Sequence, residues 1–587
     1  MVLPKIYNLF AFIFDVLLVS ARGRGYNKGN DRTGARGPVW GRARAATKEA
    51  PQIMKLTFLG AAHEVTGSCY LLQVNDQNIM IDCGMEQGRD IYENQPLPLA
   101  PGQVDSLLLT HAHIDHSGRI PLLVKNGYRG PVFATTATTE LCNIMLRDSA
   151  HIQEFEAEWR NRKAKRSGAA EYEPIYTMQD AEDALKLFVP IDYGETFDVA
   201  PGVKGRFVDV GHLLGSASIE LWVTEGEVTK KLVFSGDIGN DHQPLLKDPQ
   251  YISEADYVVM ESTYGDRSHG PRPDYVTELA GVIQETFDRG GNLVIPSFAV
   301  GRTQEMLYFL RQIKEQNLVK GYGDFTVYVD SPLAVEATHI FREQWAECYD
   351  EEARALVLQG VNPISFKGLK LAVSSDDSKA INFDQSRKVI LSASGMCEAG
   401  RIRHHLKHNL WQPQSTVLFV GYQSPGTLGR ALVEGAKEVR LFGETIEVRA
   451  QIKVLAGVSG HADNEGLMRW AAAFKEHKPQ HVFVTHGEDS VCDIFANRLM
   501  AELGYSASAP YNGAVYDLVS GHCLALGNRK RIEEKKAGLR SQNPVFRRLL
   551  DAGHRLLNII KAKEGHANKE LARMASQVEA LCEKWED

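Results

Sequence analysis

The sequence predicts an α/β protein built on large layered sheets, and three features carry that expectation. Short apolar runs recur with Gly and Asp at their ends, as strands closed by tight turns do. Segments that read as helices fall between them. Polar, ionisable residues stand directly after the apolar runs, where sheets of this kind hold their chemistry.

Order begins at Met54. KLTFLG reads as a strand, CYLLQV (Cys69 to Val74) as a second, and NIMIDCG (Asn78 to Gly84) as a third that ends in Asp82. VDSLLLT is a fourth, and RIPLLVKNG behind it has the pattern of a short helix. FVDVGHLLGSASIEL places His212 after another apolar run, KLVFSGDIG places Asp237, and HVFVTHGE places His486. Each follows the order strand end, ligand-type residue, glycine. Between Asp237 and His486 the text repeats strand, turn and helix in GNLVIPSFAVGRTQEMLYFLRQI and FTVYVDSPLAVEATHIF, with further strand-loop pairs in RKVILSASGM and STVLFVGYQSPGTLGRAL. A segment of that length is a folded unit rather than a loop.

The first 53 residues have another character. An apolar run from Leu9 to Val19 is interrupted by Asp15, and a Gly- and Arg-rich stretch without periodicity follows. The run is too short to span a bilayer comfortably, and it lacks the charged start and small-residue cleavage site of a signal peptide. Residues 1–53 are therefore expected to be a disordered or non-native extension ahead of a start at Met54, and no membrane association is expected.

Across 587 residues, 43% are apolar and 24% charged, with a formal net charge of -8. That balance excludes wholesale wrapping of nucleic acid but not a local basic cleft. Eight cysteines without a C-x-x-C pair point to a reducing, cytoplasmic setting and leave His and carboxylate as the metal-binding groups.

LLLTHAHIDHSG carries the strongest signal. A chain with 19 histidines concentrates three of them, and an aspartate, within six positions at a strand end. Buried together, such groups need hydrogen-bond partners or an ion to offset lost hydration. His111 and His113 lie two apart and point the same way in an extended segment. A turn into a helix would let Asp115 and His116 face a second ion beside the first, the arrangement of a site that clamps and activates hydroxide.

These residues resemble the metallo-β-lactamase superfamily and, within it, the β-CASP group of RNA-processing nucleases. That group includes the pre-mRNA 3′-end cleavage endonuclease and bacterial and archaeal ribonucleases. The resemblance covers roughly Met54 to Asp517 and implies an αββα sandwich with an inserted α/β β-CASP domain. The expected divisions are 54–261 and 450–517 for the two parts of the sandwich, 262–449 for the insert, and 518–587 for a helical tail. Carried over residue by residue, His111, His113 and His212 would hold one zinc and Asp115, His116 and His486 a second. Asp237 would bridge them, and Asp82 would orient ligands from behind.

The special motifs of the group resemble DYVVMESTYGDR, ending its strand in Glu261, VLAGVSGHADNEGL with His461, and THGE with His486. The implied mechanism is hydrolysis of single-stranded RNA by metal-activated hydroxide. His461 would be the general acid, Glu261 its positioning anion and Asp463 a support of the loop, leaving a 5′-phosphate and a 3′-hydroxyl. The E-S-T-Y-G wording and the absence of a KH-like module before Met54 favour an endonuclease over a 5′–3′ exoribonuclease. A DNA nuclease, another metallo-hydrolase and a catalytically silent RNA-binding subunit are weaker alternatives. The last loses ground because every expected ligand is present; the first two, because His486, His461 and Glu261 are.

Arg302 follows a strand where a helix starts, suited either to grip phosphate or to staple the loop by a salt bridge. Asp330, Ser331 and Pro332 read as a structural turn. In SASGMCEAGRIRHHLKHNL, Arg401, Arg403, His404, His405, Lys407 and His408 form a basic run, which is either a nucleic-acid face or a solvated one. Arg430 stands in a segment resembling one that the group places near its cleft. Trp159 to Ala170 is a second basic run with an aromatic, the expected end of a helix running into a loop. The tail, with FRRLLDAGHRLLNIIKAK, reads as amphipathic helices for packing on the body or on a second copy in a homodimer.

Overall fold

The computed structural model describes residues 54–87, 92, 96–167, 171–270, 273–455 and 459–532, and in the tail 552, 556, 559–560, 563 and 568–584. The extension 1–53 and most of FRRLLDAGHRLLNIIKAK lie outside them.

Two large sheets form the body. The first has eight strands in the order Cys523–Ala525, Val515–Asp517, Lys55–Gly60, Cys69–Val74, Gln77–Ile81, Ser106–Leu108, Val132–Thr135 and Phe188–Ile191. The second has seven: Ala507–Ser508, His481–Thr485, Tyr257–Glu261, Val228–Phe234, Ala217–Glu225, Val203–Asp209 and Thr196–Ala200. Successive side chains on a strand face opposite ways, and here both faces are apolar because both are covered. Leu56, Phe58, Leu72, Ile79, Ile81 and Leu108 of the first sheet meet Phe207, Ile219, Leu232, Phe234, Val259 and Phe483 of the second in one buried core. The alternate residues Val233, Val258, Met260, Val482 and Val484 pack outward with helices Asn464–Ala471 and Asp489–Leu503. Leu71, Met80, Leu107 and Val132 likewise pack outward with Ile120, Leu141 and Leu146 of the helices Ile120–Lys125 and Thr136–Ser167. Helix, sheet, sheet, helix is the αββα sandwich, each fully buried aliphatic or Phe side chain contributing roughly 1.5–3 kcal/mol.

A third sheet, parallel throughout, lies between Glu261 and His481 in the chain. Its order is Leu369–Leu371, Thr326–Val329, Lys388–Ser392, Leu293–Pro296, Thr416–Phe419 and Gln451–Val454. Val294, Ile390 and Val417 face Ile402, Leu406 and Leu432 of helices Ile402–Asn409 and Leu428–Val433. Leu293, Ile295, Val327 and Leu391 face the other way, into the cluster that also holds Leu141 and Leu146. This is the inserted α/β domain.

Two expected divisions shift. Gln451–Val454 pairs in parallel with Thr416–Phe419, so the insert runs past residue 449. Cys523–Ala525 pairs with Val515–Asp517, so the first sheet continues beyond residue 517. Both are edge strands whose partners set their membership, and the short apolar content of QIKV and CLA carries no sign of it. Residues Arg531–Asp587 form a separate compact unit, in which Asn568–Glu583 is a helix. Among the described residues no helix is long and apolar enough to cross a membrane.

Candidate metal centre

The site is built from loops that leave the two sheets at the same end. Ser106–Leu108 delivers Thr110 and His111. His113 sits at the N-terminus of the short helix Ile114–Ser117, which carries Asp115 and His116. From the second sheet, His212 lies between Val203–Asp209 and Ala217–Glu225, Asp237 follows Val228–Phe234, and His486 follows His481–Thr485. Gly239 lets two of these loops meet: a Cβ there would stand 2.2 Å from the Gly211 carbonyl carbon. Asp82 and His486 take left-handed φ values of 56° and 51° directly after their strands. That conformation costs an L-residue roughly 1–2 kcal/mol and turns each chain sharply at the site.

The donors converge in two groups that share one carboxylate. In the first, His113 Nδ1 lies 3.1 Å from His111 Nε2 and 3.3 Å from His212 Nε2. Asp237 Oδ2 is 3.5 Å from His111 Nε2 and 3.6 Å from His212 Nε2. In the second, His116 Nε2 is 3.2 Å from His486 Nε2 and 3.3 Å from Asp237 Oδ1. His486 Nε2 is 3.7 Å from Asp115 Oδ2 and 3.6 Å from Asp237 Oδ1. A tetrahedron of ligands about 2.0–2.2 Å from a central zinc has edges of roughly 3.3–3.6 Å. The first group, Asp237 included, approximates such a figure; in the second, Asp115, His116 and His486 converge, and Asp237 Oδ1 approaches His116 and His486. Asp237 Oδ1 is buried and meets no hydrogen-bond donor in acceptable geometry, an orphan that an ion would satisfy.

Electrostatics favours the ligand forms. Burial above all holds His111, His113 and His212 below the usual imidazole range, hence neutral with a lone pair to give. Burial opposes charge on Asp237 too, yet His486, His116 and His111 outweigh it and hold the carboxyl well below its ordinary value. At His116 burial also disfavours the cation, but Asp237 and Asp82 prevail and push the ring upward. A metal cation would supply that positive charge in place of the proton.

Hydrogen bonds from behind fix the candidate ligands. Asp82 accepts from Thr110 N at 2.8 Å and lies 2.8 Å from His116 Nδ1, so Nε2 is the nitrogen left for the site. Thr110 Oγ1 is 3.1 Å from His111 Nδ1, and Thr263 Oγ1 is 3.0 Å from His486 Nδ1. Neither threonine stands out in the sequence. Their only sign is adjacency, Thr110 directly before His111 and Thr263 two residues beyond Glu261.

His461 stands at the rim. Its side chain is 21% exposed, whereas His111, His116, His212 and His486 are at most 3% exposed. Nδ1 is 3.2 Å from Glu261 Oε1 and 3.9 Å from Asp237 Oδ2. Burial works against a charged ring, but those two carboxylates overcome it and push the pKa up to about 9. Glu261 is itself anchored by the Ile238 N–H, which donates to Oε1 at 2.6 Å. Asp463 caps the helix Asn464–Ala471 through Gly466 N and takes a hydrogen bond from Ser268, tying down the loop next to His461.

The expected substrate contacts fare differently. Arg302 pairs with Glu305 one turn along the same helix, Arg302–Glu315. His405 is fully buried, with Nε2 2.6 Å from Asp330 Oδ2, and belongs to no exposed basic face; the carboxylate, 75 positions upstream, draws it inward. Arg401 binds Asp330 Oδ1 at 2.8 Å and the carbonyls of Ala372 and Val373. The Asp330 turn is thus the hub of a buried polar network. Arg430 pairs with Glu434 and is half-exposed. In the second basic run the helix Thr136–Ser167 continues through Arg166, and Arg160 lies over the Tyr172 ring.

Two sets of histidine and carboxylate donors sharing one ionised aspartate, at the strand ends of an αββα sandwich, define a metallo-hydrolase. Residues 64–128 match the description "Metallo-beta-lactamase superfamily", 303–432 "Beta-Casp domain" and 445–510 "Zn-dependent metallo-hydrolase RNA specificity domain". The chain is 38% identical over 456 residues to Ribonuclease TTHA0252 of Thermus thermophilus, covering 78% of this chain and 98% of that protein. It is 33% and 32% identical to the proteins named Transcription termination factor FttA of Methanocaldococcus jannaschii and Methanosarcina mazei, covering 78% of this chain and 71% of each. The chain belongs to the metallo-β-lactamase superfamily and, within it, to the β-CASP group of RNA-processing nucleases, hydrolases that act on RNA.

Proposed function

We propose that this protein is a ribonuclease that holds two zinc ions and cuts single-stranded RNA internally, in RNA processing or decay. The division of Asp237 carries the reading: Oδ2 lies within 3.6 Å of His111 and His212 of one group, and Oδ1 within 3.6 Å of His116 and His486 of the other. His111, His113 and His212 would hold one ion, Asp115, His116 and His486 the other, with Asp237 between them and Asp82, Thr110 and Thr263 behind. When bound, the ions supply positive charge against the phosphodiester and acidify a water to the neutral range.

The chain's own groups do the rest. Glu261 holds His461 through Nδ1 and favours its protonated form, which leaves Nε2 to give a proton to the departing 3′ oxygen. A phosphodiester carries charge that the buried carboxylates would repel if bare. The site works on RNA only when its four anionic groups, Asp82, Asp115, Asp237 and Glu261, are matched by ions and imidazolium. A cytoplasmic setting fits the absence of paired cysteines among the described residues.

The test is metal content together with substrate choice. Gently purified protein should hold two zinc equivalents per chain, and Asp237→Asn should hold fewer. A fluorescent single-stranded RNA should be cut internally and faster than its DNA counterpart or an RNA duplex. Equal rates on RNA and DNA would replace this reading with a general phosphodiesterase. Shortening from one end only would replace it with an exonuclease.

A further inference from the structure

We propose that Phe298 is a base-stacking platform of the RNA site, a specificity-determining residue on the inserted domain; the inference rests on the RNA reading above. Phe298 is 48% exposed although it stands at the end of the fully buried strand Leu293–Pro296. Single exposed apolar side chains are ordinary. The construction around this one is not.

The backbone of Phe298 is pinned: its carbonyl accepts from Thr303 Oγ1 at 2.7 Å and from Thr303 N at 3.2 Å. The ring lies along two glycines from the neighbouring strand ends. A Cβ on Gly395 would stand 3.4 Å from Phe298 Cδ2, and one on Gly421 would stand 3.8 Å from Cε2. Those two loops are stitched together by the buried Gln423, whose Nε2 donates to the carbonyls of both Gly395 and Gly421 at 3.1 Å. The result is a rigid aromatic plate, supported along one edge and open to solvent. Tyr422, next to Gly421, is a second exposed aromatic on these strand ends.

The loop that carries the plate also meets the loop that carries His212. A Cβ on Gly301, three residues beyond Phe298, would stand 3.2 Å from Leu213 Cδ1, and Leu213 follows His212. Strands Leu293–Pro296, Lys388–Ser392 and Thr416–Phe419 run parallel and adjacent, so their C-terminal loops open together, the position where such sheets bind ligands. An exposed, preorganised ring suits the π-face of a nucleobase. It recognises any base, and it discriminates single-stranded RNA from a duplex, whose bases are already stacked.

The test is a cycle between protein and substrate. Phe298→Leu keeps an apolar side chain but no aromatic face, and Phe298→Tyr keeps the face. RNA oligonucleotides with a single abasic nucleotide moved through the positions around the cut supply the other arm. Stacking is worth 5- to 150-fold by truncation, so Phe298→Leu should raise KM on intact RNA within that range and leave the unfolding midpoint in place. Phe298→Tyr should restore KM. At one abasic position the wild type should pay the same cost, and Phe298→Leu should add almost nothing. If Phe298→Leu adds its full cost at every abasic position, or lowers the unfolding midpoint in proportion to the activity lost, the ring is structural and this inference falls alone. Wild-type protein that hydrolyses a nitrophenyl phosphodiester but binds no RNA overturns both this inference and the RNA reading.

Discussion

Asp82 lies directly behind His116, with Oδ2 2.8 Å from Nδ1 and both side chains buried. The contact decides which face of the imidazole the site receives. With Nδ1 occupied by the carboxylate, only Nε2 is left, and Nε2 is the atom 3.3 Å from Asp237 and 3.2 Å from His486. An anion behind the ring also makes it a better donor to a cation.

Asp82→Asn should therefore keep the fold and weaken the metal site. The amide preserves the size of the side chain but lacks the charge, and such supporting groups are worth roughly 10- to 100-fold in metal affinity. Chelator competition followed by zinc analysis measures it. Unaltered affinity would make Asp82 a brace for Thr110 and nothing more.

The parts of this centre that were legible in the sequence are those written contiguously or at strand ends. HAHIDH, His212, Asp237 and His486 repeat one local pattern, and the loops that carry them do converge. What escaped depends on distant partners. Thr110 and Thr263 act through hydroxyls whose role appears only when a ring nitrogen lies 3.1 or 3.0 Å away. The basic run around His405 reads as a surface because its composition is polar, but Asp330 holds His405 and Arg401 from another strand end. Edge strands Gln451–Val454 and Cys523–Ala525 joined their sheets by pairing, which local apolar content does not reveal.

Asp209 should make stability fall with rising pH. Burial is the main cause that pushes its pKa up to about 7, against the opposing pull of the Gly211 N–H and Lys247. The folded state binds this proton more tightly than the unfolded chain, where the pKa is about 3.9. Its contribution is thus complete below pH 4 and is lost as pH rises through 7. Asp209→Asn keeps an acceptor for Gly211 N without the charge. It should be more stable than the wild type at pH 8, by up to a few kcal/mol at about 1.4 kcal/mol per unit, and the gap should close near pH 4. Denaturant midpoints of both proteins across that range check it, and a constant gap would dismiss Asp209 as the cause.

The helix Asn568–Glu583 presents Leu571, Met574, Val578 and Leu581 at three- and four-residue spacing, each partly or fully exposed within its own unit. Such a stripe suits the seam of a two-helix contact. We expect the full chain to be a homodimer through this region. Leu571→Asp combined with Val578→Asp should give a monomer by light scattering. A wild type that is monomeric at micromolar concentration would remove the stripe from that role.

In the proposed function, His461 separates proton transfer from metal binding. It is partly exposed, held by Glu261 at 3.2 Å, and absent from the two groups of converging donors. His461→Ala should keep the zinc content of the wild type and lose roughly 10²- to 10⁴-fold in rate on RNA, the usual worth of a positioned acid. Glu261→Gln should lose less, since the ring stays and only its anchor and charge change. A nitrophenyl phosphodiester supplies the decisive comparison, because its leaving oxygen departs without a proton. On that substrate His461→Ala should regain most of its relative rate. A histidine that merely shaped the site would damage both substrates to the same degree. Equal losses on the two, or zinc lost along with the imidazole, would return His461 to the structural or metal-binding residues and leave the leaving group to be protonated from elsewhere.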